Sequence, residues 1–276
     1  MPQPAHRLAF ESYGLAAEVR SDDREMFDCL PLVLPPGWRR LNGSEVHARF
    51  GLMRDGAEVA RTGGDRTVTL AALASTLRHH LALHAPEHVF IHAGVVCAGS
   101  AAIVIPGSSF SGKTTLVAEL VRAGATYYSD EYAVVDADGM IHSYPAPLSI
   151  RLPGSGRFGV PMQLPDSQIG TERVHAGLIV VTRYEDGAEW RPAACAPGEG
   201  ALALLQHTVA ARSKPREALV AACRLAQAAR VISGPRGDAS TIVGDLVALV
   251  GGSVRQHVGD PSTGTLGESA DREAAR

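Results

Sequence analysis

Apolar and polar positions change period several times along this chain, and each change marks an element. Near the start the pattern is short and alternating. "HRLAFESYGLAAEVRS" and "HARFGLMRDGAEVARTG" read as short strands with turns, and "RDG" is a hairpin-type turn between apolar flanks. The period then lengthens. "TLAALASTLRHHLALHA" has the spacing of an amphipathic helix, which Pro86 ends. "HVFIHAGVVCAG" and "SAAIVIPG" are near-continuous apolar runs, as expected of adjacent strands in a buried sheet. "KTTLVAELVRAGA" returns to helical spacing, with Gly124 at its C-terminal cap.

Downstream, "YYSDEYAVVDADGMIHSYP" predicts a strand pair turning at "DADG". "HAGLIVVTRYEDGAEWRPA" predicts a second pair turning at "EDG". Residues 200–212 and 215–230 carry helical periodicity, and Pro215 stands near the start of the second helix. "DASTIVGDLVALVGG" predicts a last helix. The division expected is a small α+β region over residues 1–84, a P-loop domain over 85–258, and a polar tail over 259–276 without fixed structure.

Composition narrows the class. With 276 residues, 45% apolar and 20% charged, the chain has an ordinary globular make-up and can bury a sizeable core. Formal net charge is -3 and no Lys/Arg run tracks along one segment, which argues against a nucleic-acid partner. No apolar stretch is long enough for a bilayer span, so no membrane role is expected. "MPQPAHRLAF" lacks the apolar core of a signal peptide. Four dispersed cysteines, with no Cys-x-x-Cys pair, read as free thiols of a reducing, cytoplasmic setting.

The chemistry enters at "GSSFSGKTTL". It satisfies G-x-x-x-x-G-K-[ST] through Gly107, Gly112, Lys113 and Thr114, with a predicted strand before it and a helix after. Residues Gly107, Ser108, Ser109, Phe110, Ser111, Gly112, Lys113, Thr114 and Thr115 are the candidate nucleotide-binding set. Glycines let the backbone wrap phosphate oxygens, and backbone N–H groups with the helix dipole favour the anion. Lys113 can reach the β- and γ-phosphates, and the Thr114 hydroxyl can ligate Mg²⁺. Phe110 stands at a position that is often small.

Whether the phosphoryl group goes to water or to a second substrate depends on a nearby acid. Asp130, Glu131 and Asp136 follow the P-loop helix. Asp136 sits in a turn-like "DADG", and turn chemistry explains it. Asp130 and Glu131 are adjacent at the entrance to a strand. Neighbouring strand residues face opposite ways, so the two serve one site only if the chain bends there. Pattern alone leaves them equally readable as a solvated pair at a sheet edge.

The order "FIHAGVV", "IPGSSFSGKTTL", "AGATYYSDEYAVVD", "PAPLSIR" resembles the HPr kinase/phosphorylase superfamily, whose core is shared by ATP-dependent phosphoenolpyruvate carboxykinase. The likeness is close over residues 87–152 and looser to about 255. It implies a mixed-sheet α/β P-loop kinase core that uses ATP and Mg²⁺. It implies that Asp130 is the general base, that Glu131 helps hold Mg²⁺ or the acceptor, and that His92 lies near the phosphates. Three departures stand out: Asp-Glu replaces the family's Asp-Asp, Phe110 replaces a usual Gly, and the family's C-terminal Gly-rich signature has no counterpart. These point away from HPr itself and from phosphorolysis. They point towards abbreviated relatives that include kinases of peptides encoded beside them, such as lasso-peptide precursor kinases.

Other residues have two readings each. Arg151, after "YPAPLSI", can steady charge on the transferring group or be a solvated surface residue. His80 and His84 have the i, i+4 spacing of a metal pair, and His79 and His88 lie close by, but a solvated or packed helix face explains them better. Arg212, Lys214 and Arg216 can dock an acidic substrate or form a solvated helix–helix connection. The expectation is ATP/Mg²⁺-dependent transfer to a Ser or Thr hydroxyl of a small protein or peptide, with Asp130, Lys113, His92 and Arg151 catalytic and Thr114, Glu131 and Asp130 on the metal. A small-molecule kinase and a non-catalytic nucleotide sensor are the alternatives. The family often forms oligomers, which leaves room for a homo-oligomer.

Overall fold

The computed structural model describes residues 6–43, 45–53, 66–108, 111–150, 160–162 and 164–253. The chain opens with a hairpin, β1 (His6–Ser12) and β2 (Leu15–Ser21). Its two-residue turn, Tyr13-Gly14, has φ of 48° and 78°, the double positive-φ geometry whose twist matches the flanking strands. Leu8, Phe10, Ala17 and Val19 alternate onto one face and form a core there. Helix α1 (Arg24–Asp28) follows, capped by the Asp23 side chain, which accepts from Met26 N at 3.1 Å. Strands β3 (Arg39–Arg40), β4 (Ala48–Met53) and β5 (Arg66–Thr69) complete a five-stranded sheet ordered β3-β1-β2-β4-β5. β4 and β5 pair in parallel, so they are not the two arms of one hairpin. The expected "RDG" turn at 54–56 lies outside the described residues.

Helix α2 (Leu70–His84) ends where Ala85 caps it before Pro86, as the periodicity predicts. Leu73 and Leu77 pack on the first sheet, while Leu81 and Ala82 join Leu15, Phe90, Tyr132 and Tyr144 in a second cluster. The helix therefore ties the first sheet to the second. Tyr13 reinforces the junction by donating its hydroxyl to Ser143 O at 2.5 Å.

The second sheet carries the P-loop. Its strands are β6 (Val89–Ala98), β7 (Ala101–Pro106), β8 (Thr126–Ser129), β9 (Tyr132–Val135), β10 (Ile141–His142), β13 (Ala176–Tyr184), β14 (Ala193–Ala194) and β15 (Arg230–Arg236). β11 (Leu148–Ile150) and β12 (Val160–Met162) form a separate antiparallel ribbon. The large sheet runs β10-β9-β6-β7-β13-β15-β14, with β8 on β6 beyond the end of β9. β7, β13 and β15 are parallel, and β6 runs against β7, so the sheet is mixed. Helices α3 (Lys113–Arg122) and α6 (Ala239–Ser253) cover one face, and α4 (Pro197–Gln206) and α5 (Pro215–Ala228) the other. β7 shows why: Ala101, Ile103 and Ile105 face α3 and α6, while Ala102 and Val104 face α4 and α5. Leu116 and Leu120 of α3 are fully buried, each worth roughly 1.5–3 kcal/mol, and they anchor the helix whose N-terminus ends the P-loop. The architecture is α/β with mixed sheets, as expected.

The periodicity misleads at one place. "EDG" does not join a hairpin: β13 pairs with β7 and β15, and β15 lies between β13 and β14. β15 itself, "RVISGPR", carries no strand signature because Gly234 and Pro235 break it. Pro235 is tolerated because β14 reaches only Ser233, so no ladder partner is lost on that side. The tail over 259–276 lies outside the described residues. Among the described residues, no helix is long and apolar enough to cross a membrane, and all four cysteines are unpaired.

Candidate active site

β7 ends at Pro106 and the chain turns into the P-loop, which closes on α3 with Gly112 at its N-cap. Gly107 N donates to His92 O at 3.1 Å, so the first residue of the loop is fastened to β6. Gly112 has φ +84°, a left-handed conformation that glycine adopts without strain. The Lys113 ammonium donates to Gly107 O and Ser108 O, each at 2.7 Å, and so folds back over its own loop. Burial pulls the Lys113 pKa down, and the Glu131 and Asp130 carboxylates oppose that shift. Ser111 Oγ is buried and has no hydrogen-bond partner among the described residues. An ammonium satisfied only by loop carbonyls, beside an unsatisfied hydroxyl, suits an anion that would take over both.

Thr114 is the second residue of α3, and its hydroxyl donates to Asp130 Oδ2 at 2.9 Å. The other carboxylate oxygen, Oδ1, is 2.9 Å from the Tyr127 hydroxyl, which also stands 2.7 Å from Ala146 O. One phenolic proton serves one acceptor at a time, so both contacts are satisfied together when Asp130 itself carries a proton. Burial raises the Asp130 pKa, against the hydrogen bonds from Tyr127 and Thr114. Burial also raises that of Tyr127 far above its ordinary value, and Asp130 adds to the effect.

The acidic pair sits in a bend between β8 and β9. The Ser129 hydroxyl makes the bend by accepting from Glu131 N at 3.1 Å and Tyr132 N at 2.9 Å. The chain thus departs from strand geometry at the point where two neighbouring acids must serve one site. Thr114 and Asp130 together offer hard oxygen donors, the set that Mg²⁺ prefers. Among the described residues, no group of three or more His, Cys, Asp or Glu is placed to hold a metal ion. Thr114 and Asp130 are the oxygen donors that could share a metal with a bound nucleotide.

His92 lies on β6 beside this loop. Its backbone N–H donates to His207 O at 2.8 Å, and its ring packs on Tyr132 with centroids 4.8 Å apart. Burial lowers its pKa, helped by the nearby Lys113 charge. His207 is similarly lowered, by burial, Lys113 and His92. Both rings therefore favour the neutral form.

Sequence reasoning missed three contributors: His207, Tyr127 and Arg236. His207 arrives from the end of α4, where residues 207–209 run along β6 past the end of β7. Arg236, only 2% exposed, donates from Nη2 to Gly112 O at 2.8 Å and from Nη1 to Gly237 O at 3.0 Å. Its Nε has no acceptor among the described residues. The exposed ring of Tyr184 stands 5.9 Å from its guanidinium carbon. A Gly-Pro-Arg-Gly stretch gives no sign of such a role.

The other sequence candidates fall as follows. Ser109, Phe110 and Arg151 lie outside the described residues. Ser108 and Thr115 are exposed at the loop. Asp136 is used up in its turn: Oδ1 accepts from Asp138 N and Met140 N, each at 2.9 Å, and Oδ2 meets His142 Nε2 at 2.8 Å. Burial pushes its pKa up, but these hydrogen bonds outweigh burial and leave it lowered. His80 packs edge-on against Phe50 and tilted against His84, and His88 packs edge-on against Tyr13 and His142. Lys214 donates to Ala85 O at 2.6 Å, while Arg212 and Arg216 are exposed.

No protein-family model matches the sequence, and no curated protein does. Among solved structures, the chain is similar to the Hpr(Ser) kinase/phosphatase from Coxiella burnetii, with a TM-score of 0.35 and 12% identity over 62% of this chain and 99% of that one. A superposition this loose carries no function by itself. The functional reading rests on the residues around the P-loop.

Proposed function

We propose that the protein is an ATP- and Mg²⁺-dependent kinase that transfers the γ-phosphoryl group to a Ser or Thr hydroxyl of a small protein or peptide. The observation that carries this reading is the 2.9 Å contact between the P-loop Thr114 hydroxyl and Asp130, with Lys113 on the same loop. The loop's backbone N–H groups and Lys113 bind and orient the phosphates. Thr114 and Asp130, with Glu131 beside them, would hold Mg²⁺, which supplies charge neutralisation on the phosphates. Asp130 takes the proton of the incoming hydroxyl. Burial raises its pKa, which makes the carboxylate a stronger base than an exposed one. Neutral His92 and His207 line the approach without adding charge that would hold the product.

The test is incubation with Mg²⁺ and γ-labelled ATP, together with peptides and small proteins encoded by neighbouring genes. Wild type runs beside Lys113→Ala and Asp130→Asn. The expected result is label on one acceptor, lost in both variants, with nucleotide binding kept by Asp130→Asn and weakened by Lys113→Ala. Label released only as phosphate, or transferred only to a metabolite, would overturn the peptide-kinase assignment. Full activity in Lys113→Ala would remove the P-loop from the mechanism altogether.

A further inference from the structure

The outer face of the first sheet, opposite its core, holds a depression of about 450 Å³ lined by Arg7, Arg20, Arg40 and Arg49 around Glu18 and Asn42. Four arginines and one glutamate thus line a single depression on a chain whose formal net charge is -3. The Glu18 side chain is only 10% exposed, and its Oε1 is approached by Arg20 Nε and, at 3.6 Å, by Arg49 Nε. Arg7 and Arg40 are exposed and have no ion-pair partner among the described residues.

Stability does not explain the pattern. Arg7 sits directly opposite Arg20 in the ladder, and like charges so placed are destabilising. Guarding a sheet edge against aggregation accounts for Arg40 on the edge strand β3 and for Arg7, which lies on β1 beyond the two residues that β3 pairs, Phe10 and Glu11; Arg20 and Arg49 stand on the interior strands β2 and β4. What the arrangement does provide is several arginines around one concave surface. Guanidinium groups bind carboxylates through two parallel hydrogen bonds, so acidic side chains are the matching chemistry.

We propose that this face docks an extended acidic segment, rich in Asp and Glu, of the polypeptide that accepts the phosphoryl group. The proposal rests on the polypeptide-kinase reading for the identity of its partner. Arg7 lies six residues from the hairpin tip, where Tyr13 meets the P-loop sheet. At strand spacing that is about 20 Å. Docking here would hold an acceptor by a segment remote from its reacting hydroxyl and raise the local concentration of that hydroxyl.

The experiment uses the full chain and a fluorescein-labelled hexaglutamate peptide, read by anisotropy at low and physiological ionic strength. Arg7→Glu/Arg40→Glu reverses two exposed charges that hold no ion pair, so folding should be kept. Circular dichroism and nucleotide binding serve as checks. The expected result is salt-sensitive binding of hexaglutamate, at least tenfold weaker in the double variant and unchanged in Lys113→Ala. Equal binding by wild type and the double variant overturns the proposal, as does binding no tighter than that of a neutral Gly-Ser peptide. Displacement by inorganic phosphate at matched charge would make the face a small-anion site, and tighter binding of oligouridylate, lost in the double variant, would make it an RNA surface. Either outcome overturns the proposal. Hexaglutamate binding without any phosphoryl transfer would sink the kinase reading while leaving an acidic-peptide surface. Transfer without such binding would do the reverse.

Discussion

The contact between Gly112 and Arg236 yields a prediction whose size can be worked out from the geometry. Gly112→Ala meets two separate costs. The residue holds φ +84°, and an L side chain in the left-handed region costs roughly 1–2 kcal/mol. The added Cβ also falls 2.5 Å from Arg236 Nη2. The guanidinium must then move and give up its 2.8 Å bond to Gly112 O, and a hydrogen bond from a charged group is worth roughly 1.5–3 kcal/mol. Gly112→Ala should therefore destabilise the protein by about 2.5–5 kcal/mol. In an Arg236→Ala background there is no guanidinium to displace, so the same change should cost only the backbone strain, about 1–2 kcal/mol. The cycle should report a coupling of about 1.5–3 kcal/mol. Urea unfolding followed by tryptophan fluorescence measures it, because Trp190 packs against the core that contains α3. Additive costs, within about 0.5 kcal/mol, would refute the claim that Arg236 fixes the P-loop through the Gly112 carbonyl.

Three further outcomes are expected. Asp130 has a raised pKa, so its favourable folded form is the protonated one: that contribution is complete below the unfolded value and is lost as pH rises through the folded value. Without nucleotide, Asp130→Asn should therefore raise the melting temperature at neutral pH while abolishing transfer, and a lower melting temperature there would contradict the burial argument. His92 and His207 are shifted the opposite way for a base. Both favour the neutral ring, so their contribution is present above 6.5 and is lost as pH falls below it. His92→Gln/His207→Gln should flatten the fall in stability between neutral and mildly acidic pH, as measured by thermal melts across that range. Gly170 lies against the ring of Tyr128, where an added Cβ would overlap the aromatic edge. Gly170→Ala should destabilise by about 1–3 kcal/mol, checked by urea midpoint, and Gly170→Ala/Tyr128→Leu should recover part of it.

Much of the P-loop region was legible in one dimension because its signals are local. The P-loop is contiguous, its glycines and Lys113 have tasks set by backbone geometry, and the flanking strand and helix follow from apolar period alone. β6, β7, α3, α5 and α6 stand where that period predicts. The Asp130–Glu131 pair was visible as residues. Its setting was not, because a continuous strand was the expectation, whereas the Ser129 hydroxyl holds a bend there and Asp130 meets Thr114.

What the sequence could not reveal depends on neighbours far along the chain. β15 lacks strand propensity, and its place between β13 and β14 comes from pairing on both sides, which overrules the "EDG" turn as a hairpin. His207 reaches His92 across 115 residues because the segment after α4 continues the ladder where β7 stops. Arg236 reaches Gly112 across 124 residues, and Tyr127 meets Asp130 only once β8 is in place. The four arginines of the first sheet are scattered in sequence, and they line one depression only through the pairing of β1, β2, β3 and β4. Contiguous motifs and apolar periods are written residue by residue. Convergence of distant side chains is decided by strand order and register, which a single chain read in order does not contain.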